Sequence, residues 1–237
     1  MKVNVLLFII TVAVYLTVGE VEEVKVLKKH SYYKISKERV TLRDVGLKQI
    51  ELEAFKDATI RELIIIGNPL KEIRKGVFVN LSTHEVYLEE CDISKIEAGA
   101  FHELHPLESY GIYYLSLSRN KLETIKKGVF TGTKFRKLIL SYNKIATVEA
   151  GAFDGMVHLL EVDLEMNLLS KIGVGVFQNI PGPNRWVDLV FRSNRIKHID
   201  PYAFENTTIN NLYLDGNQLG TVSQSYFRGS TIGSLIS

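Results

Sequence analysis

Residues 112–130 read IYYLSLSRNKLETIKKGVF, and the spacing inside this stretch decides the fold. Ile112, Leu115, Leu117, Leu122 and Ile125 keep a fixed phase around Asn120, and Phe130 stands ten residues after the asparagine. The Leu-x-Leu alternation predicts a short strand that turns two side chains to one face and the residues between them to water. The asparagine predicts a turn, its amide pairing backbone groups of neighbouring coils that would otherwise be buried unpaired. The following aliphatics and the phenylalanine then fill the interior of the coil.

The same phase recurs as Phe135, Leu138, Leu140, Asn143, Ile145, Val148 and as Ile209, Leu212, Leu214, Asn217, Leu219, Val222. Along the chain it generates a column of phenylalanines: Phe55, Phe78, Phe101, Phe130, Phe153, Phe177, Phe204 and Phe227, spaced by 23, 23, 29, 23, 24, 27 and 23 residues. Ten residues before each lies Val45, Asn68, Cys91, Asn120, Asn143, Asn167, Asn194 or Asn217. A single coil cannot bury this much apolar surface, whereas stacked coils share one continuous core. Pro69, Pro106, Pro181, Pro183 and Pro201 all fall outside the expected strands, where a missing N–H does no harm.

Five repeats carry the form Ile-x-x-Gly-x-Phe or its valine variant: Ile73–Phe78, Ile96–Phe101, Ile125–Phe130, Val148–Phe153 and Ile172–Phe177. This pattern resembles the extracellular leucine-rich-repeat family, and is similar to Toll-like receptor ectodomains and arthropod secreted proteins. The resemblance implies an α/β solenoid, a leucine-rich-repeat horseshoe with a parallel sheet on its concave face. The convex segments are then irregular, or short 3-10 and helical pieces. About eight repeats span residues 35–237, with Ile232, Leu235 and Ser237 in the first strand positions of a truncated ninth. The chain departs from the family in lacking cysteine-rich caps. The segment 20–34 is left to cover the first coil with Val24, Val26, Leu27 and either Tyr32 or Tyr33. At the other end an uncapped strand is a pairing liability. Either the chain is a truncated relative of a longer receptor, or a partner covers that edge.

Composition narrows the class further. A formal net charge of +2 is too small for the concentrated basic field of a nucleic-acid or anionic-membrane binder. Lys2 followed by the apolar run Val3–Val18, with Thr17 and Gly19 as small residues, predicts a secretion signal over residues 1–19 cleaved after Gly19. The alternative is a signal anchor, but the run is shorter than the ~20 residues of a spanning helix. The mature chain is therefore expected to be secreted, extracellular and without a membrane span. Its one cysteine, Cys91, forms no internal disulfide; it is read as a buried structural thiol in the asparagine column, or else as a link between chains.

Repeat phase also sorts the surfaces. The central concave column is Thr41, Ile64, Tyr87, Ser116, Ile139, Asp163, Val190 and Tyr213. Two residues on stand Arg43, Ile66, Glu89, Ser118, Ser141, Glu165, Arg192 and Asp215; two before stand Arg39, Glu62, Glu85, Tyr114, Lys137, Glu161, Asp188 and Asn211. From these, Ile64, Tyr87, Glu89, Tyr114, Ile139, Asp163, Glu165, Val190 and Tyr213 are the candidate ligand-binding residues, since aromatic anchors among polar groups typify protein interfaces. The alternative is a merely solvated sheet. Ile66 joins Ile64, Ile139 and Val190 as an expected exposed aliphatic. A basic flank, including Lys71, Lys95, Lys121, Lys127 and Lys144, follows the asparagine column and would orient a charged partner, or simply keep the flank soluble. Two sequons, at Asn80 and Asn206, share one phase on the return loop and are candidate glycosylation sites. The longer repeats insert residues 102–111 and 179–185, which either carry specificity or are slack.

No catalytic residue, metal site or cofactor is expected. His102-Glu103-Leu104-His105 is one residue short of the zinc-protease spacing and sits in an insertion. Carboxylates on an exposed sheet lack a pocket to shift their pKa. The expected function is non-catalytic recognition of a macromolecule on the concave face, with a protein most favoured and a glycan or lipid-bearing ligand the other choices. The resemblance implies a soluble decoy or modulator of Toll-type signalling, in an immune, venom or salivary role. The alternative is a structural, self-assembling protein that forms a homodimer through the open C-terminal edge or through Cys91.

Overall fold

The computed structural model describes residues 25–109, 111–180, 185–220 and 223–237. The expected signal over 1–19 lies outside them, as do Val24, Val222, Pro181, Pro183 and parts of both inserted loops. The main path of the concave sheet takes nine strands in chain order: β1 (Ser36–Arg43), β2 (Thr59–Ile66), β3 (Leu81–Glu89), β4 (Ile112–Ser116), β5 (Phe135–Ile139), β6 (Glu161–Asp163), β7 (Val187–Val190), β8 (Thr208–Tyr213) and β9 (Thr231–Ile236). Each pairs in parallel with the next, so β1 and β9 are the sheet edges. One register column runs Val40, Leu63, Val86, Leu115, Leu138, Val162, Leu189, Leu212 and Leu235, which is the first apolar position of every strand motif. All are buried except Leu235, which ends the stack and is 39% exposed.

The asparagines act where the strands end. The Asn143 Nδ2 donates to the carbonyls of Leu117 (2.9 Å) and Leu140 (3.1 Å), and its Oδ1 accepts from the Leu122 N–H at 3.0 Å. Asn68, Asn120, Asn167, Asn194 and Asn217 repeat this arrangement, each tying its own coil to the preceding one. Cys91 keeps the position with a different atom set: its Sγ lies 3.3 Å from the Ile65 carbonyl and 3.1 Å from the Glu89 carbonyl. Burial pushes the thiol up to about 11, opposed by the Asn68 N–H. Because the side chain is fully buried, the expected route to a dimer through Cys91 requires the coil to open.

The residue before each of these positions is left-handed in all eight coils: Asp44, Gly67, Glu90, Arg119, Tyr142, Met166, Ser193 and Gly216 have φ between 52° and 72°. Six of them are not glycine. The turn geometry is imposed by the stacked coils against local preference, at roughly 1–2 kcal/mol per residue.

Inside, the phenylalanine column forms a stack with ring centroids 5.1–6.3 Å apart from Phe55 to Phe227. Tyr32 extends it, stacked on Phe55 at 5.3 Å and buried, while Tyr33 is exposed. Leu27 pairs with Ile50 in register, so residues 25–34 form a degenerate coil that continues the repeat over the first full one. Phe135 and Phe191 stand edge-on to the stack at 80°, against Phe101 and Phe177 respectively.

The convex side is mostly irregular, as expected, and one expectation about the elements needs correcting. The convex side carries turns and two-residue parallel bridges, such as Glu72–Ile73 with Lys95–Ile96, and one 3-10 helix at Gln224–Phe227; no α-helix occurs among the described residues. Parallel stacking at the coil period lets adjacent turns bond to each other instead of closing helical bonds within a coil. Pro106 lies in a strand rather than outside one: Leu104–Pro106 pairs with Leu81–Thr83 of β3 beside the main path. It ends a three-residue strand, where its missing donor breaks no ladder. The insertion thereby pairs with the first third of β3, and β4 takes over pairing from Glu85 onward.

Candidate binding face

The central column predicted from repeat phase is in register across the sheet: Thr41, Ile64, Tyr87, Ser116, Ile139, Asp163, Val190 and Tyr213 are successive partners. All nine candidate residues, Ile64, Tyr87, Glu89, Tyr114, Ile139, Asp163, Glu165, Val190 and Tyr213, are half-buried. Strands about 4.8 Å apart crowd alternate side chains into ladders, so each shades its neighbour. Ile66 is the extreme case. It is 8% exposed, not the exposed aliphatic expected, and flanks Arg43 and Glu89 in register.

The structure brings the middle of the face together. The rings of Tyr87 and Tyr114 lie 5.0 Å apart, and the Tyr87 hydroxyl donates to Glu85 Oε2 at 2.6 Å. Burial and the neighbouring Glu85 carboxylate push the Tyr87 phenol up, and burial does the same for Tyr114. Both phenols therefore stay neutral donors. Asp163 accepts the Glu165 N–H at 2.8 Å, and burial raises its pKa against that bond and one from Ser141. Between the tyrosines and these carboxylates the side chains are the smallest of their columns: Ser116 and Ser141 are buried and Ser118 is half-buried. They make a shallow floor bounded by Tyr87, Tyr114, Glu89, Ile139, Asp163 and Glu165. The serines were visible in the columns as successive small residues, but size alone does not announce a floor until the walls are known.

Other candidates stand apart. Ile64 on β2 and Tyr213 on β8 are six strands apart, ~29 Å at the usual spacing. Tyr213 belongs to a separate group, with the Arg192 guanidinium 4.2 Å from its ring centroid and 2.9 Å from Asp215 Oδ1. Several carboxylates on or beside the concave columns are already committed. Glu161 pairs with Lys137 at 2.7 Å, Glu62 with Arg39 at 2.6 Å, and Glu90 turns away beside Arg119 at 3.8 Å. The net acidity of the floor therefore comes from Glu89, Asp163 and Glu165. On the basic flank Lys95, Lys121 and Lys127 pair with Glu72, Asp92 and Asp154, so part of its charge is neutralised locally. His102 and His105 are not brought together: His105 Nε2 lies 3.4 Å from Asn80 Oδ1, while His102 faces Gly132. Asn80 and Asn206 are exposed on the return side.

A stack of asparagine-closed coils on one parallel sheet defines a class, and the comparisons agree with it. The leucine rich repeat family matches residues 111–169 and 133–182, and the BspA type leucine rich repeat region, of six copies, matches residues 25–114. The chain is a leucine-rich-repeat protein, similar in fold to Toll ectodomains. Among solved structures, a chain of the glycosylated Toll–Spätzle complex of Drosophila, described as a molecular hub in development and innate immunity, superposes with a TM-score of 0.57 at 21% identity. The match covers 84% of this chain and 31% of that one, so the present chain spans under a third of its length. No curated protein matches the chain.

Proposed function

We propose that this chain is a secreted recognition protein that holds a protein ligand against its concave face, with a basic surface of the ligand seated on the serine floor. The observation that carries the reading is the arrangement of Tyr87 and Tyr114 around buried Ser116 and Ser141, beside Glu89 and Glu165, which pair with no cation among the described residues. Aromatic anchors with an adjacent carboxylate suit a lysine or arginine of the partner, which gains both a ring face and a counter-charge. Leucine-rich repeats support a protein-binding, non-catalytic scaffold, and the Toll chain is solved as a complex with Spätzle, which favours a protein over a glycan or lipid-bearing ligand. Secretion is supported by the apolar segment within residues 1–19 and by exposed sequon asparagines at Asn80 and Asn206. No helix among the described residues is long and apolar enough to cross a membrane. In this reading the protein is a soluble decoy or modulator of Toll-type signalling, in immunity, venom or saliva.

The test is affinity capture from the native fluid with the chain from Glu20 and with a Tyr87→Ala, Glu89→Arg variant of matched thermal stability. Truncating a central aromatic anchor and reversing its neighbouring charge is expected to weaken capture of the specific partner at least tenfold. Equal capture by both proteins would move the site off this face. A second reading is favoured by β9, an edge strand with no charged residue and Leu235 exposed at its end, in contrast to the charged edge β1. Concentration-dependent dimers abolished by Leu235→Lys would select self-assembly instead.

A further inference from the structure

A second surface lies along the rim where the concave strands begin, three residues before the central column. His84 stacks on Tyr113 with centroids 5.6 Å apart and planes 8° from parallel, and the Arg136 guanidinium lies 5.7 Å from the same ring. The next coil is drawn alongside because the Leu160 N–H donates to the Arg136 carbonyl at 2.7 Å. That coil carries His158, which packs against Gly111. A Cβ on Gly111 would stand 3.6 Å from the His158 Cβ and 2.5 Å from the Lys134 carbonyl oxygen, so glycine is what allows this approach. The coil after it supplies Arg185 and Trp186, joined through the bond from the Asp188 N–H to the Leu160 carbonyl at 2.9 Å.

Three cations from two coils lie close enough to act on one imidazole. Burial first, and then the charges of Arg185, Lys134 and Arg136, hold His158 below the usual histidine range. Its Nδ1 is buried with no hydrogen-bond partner. Lys134 and Arg185 are exposed and have no carboxylate of the described residues within ion-pair distance. Apolar surface accompanies the charge: Trp186, the single tryptophan of the chain, is 50% exposed beside Arg185, and Val157 is 46% exposed beside His158. Like charges gathered here repel one another and apolar surface is left in water beside them, and an anionic partner with an apolar side chain answers both.

We propose that this rim is a docking site for an acidic segment of a protein partner, its carboxylates set against Lys134 and Arg185 and an apolar side chain covering Trp186 and Val157. The apolar half of the patch is what favours a protein segment. A sulfated glycan or a nucleic-acid backbone would answer the charge and leave Val157 in water. The site stands apart from the concave floor and has the opposite sign, so it does not depend on the reading of that floor.

Because Trp186 is the only tryptophan, its fluorescence reports occupancy directly. The probe is an unlabelled peptide of glutamates around one phenylalanine, titrated at about 0.15 M ionic strength, where long-range screening is strong. The expected result is a saturable shift of Trp186 emission to shorter wavelength. A Lys134→Glu, Arg185→Glu variant should bind at least tenfold more weakly, having exchanged two attractions for two repulsions. Replacing the peptide phenylalanine by glycine should weaken binding several-fold, and Tyr87→Ala, Glu89→Arg should leave it unchanged. Both reversed residues are exposed, and an unaltered thermal midpoint checks that the fold is intact. No emission shift with the parent, or equal binding by the charge-reversed variant, would overturn the proposal. So would heparin or single-stranded DNA binding more tightly than the peptide, with no loss on removing its phenylalanine.

Discussion

Asp163 shows how one side chain can be set against the fold that carries it. It occupies the central column between Ile139 and Val190, where burial raises its pKa although the Glu165 N–H and Ser141 bond it. A carboxyl whose pKa is higher folded than unfolded stabilises the fold in its protonated form, and that contribution is lost as pH rises through the folded value. At neutral pH the ionised group is therefore a net penalty. Asp163→Asn should raise the thermal midpoint at pH 7, with the gain shrinking toward zero below about pH 4, where the unfolded carboxyl is also protonated. The same variant should weaken a basic ligand on the serine floor by about tenfold, because it removes one of three unpaired charges there. Higher stability with unchanged binding would remove Asp163 from the site. Repeat phase identified this residue as outward-facing from sequence, but its half-burial and raised pKa depend on what stands in the adjacent strands, which phase alone does not supply.

At the level of elements, the ring stack and the strands share the load unequally. Phe130 lies between Phe101 and Phe153 and is fully buried, whereas Tyr32 has only Phe55 to stack on among the ring pairs of the column. Phe130→Ala should cost about 3–5 kcal/mol, the usual range for emptying an aromatic site in a core that relaxes only in part. Tyr32→Ala should cost about half as much, read as the shift in urea midpoint, because one side of its cavity can collapse from the end of the stack. Equal losses would show that the N-terminal coil is as tightly packed as the middle. The phenylalanine column, the strand phase and the asparagine turns were all legible, since each follows from one residue type at a constant interval. The strand at Leu104–Pro106 was not, because its pairing with β3 comes from the slack in a longer repeat and has no periodic signal. The left-handed column before the asparagines was hidden for a related reason: Arg119, Tyr142 and Met166 do not favour that conformation, and the stacked coils impose it.

For the whole molecule, stability is close to a sum of coil and interface terms, since each coil packs mainly on its neighbours. The core runs continuously from Leu27 to Leu214, but beyond it Leu219, Phe227 and Ile232 are only partly buried and the 3-10 helix Gln224–Phe227 has no buried residue. Hydrogen exchange should therefore be fastest in β9 and the turn before it, and slowest in β3 to β6; uniform protection would mean that the stack opens only as a unit. The amino-acid sequence by itself determined the class of fold, the register of the sheet and the direction of nearly every side chain. A periodic chain can satisfy its apolar face and its backbone bonds only by stacking in phase. The tertiary structure alone decided which outward residues form a floor, which carboxylates remain unpaired, and that Lys134, Arg136, Arg185 and Trp186 gather at one rim. Those outcomes depend on contacts between coils over twenty residues apart, where side-chain size, competing ion pairs and irregular repeat lengths settle what periodicity leaves open.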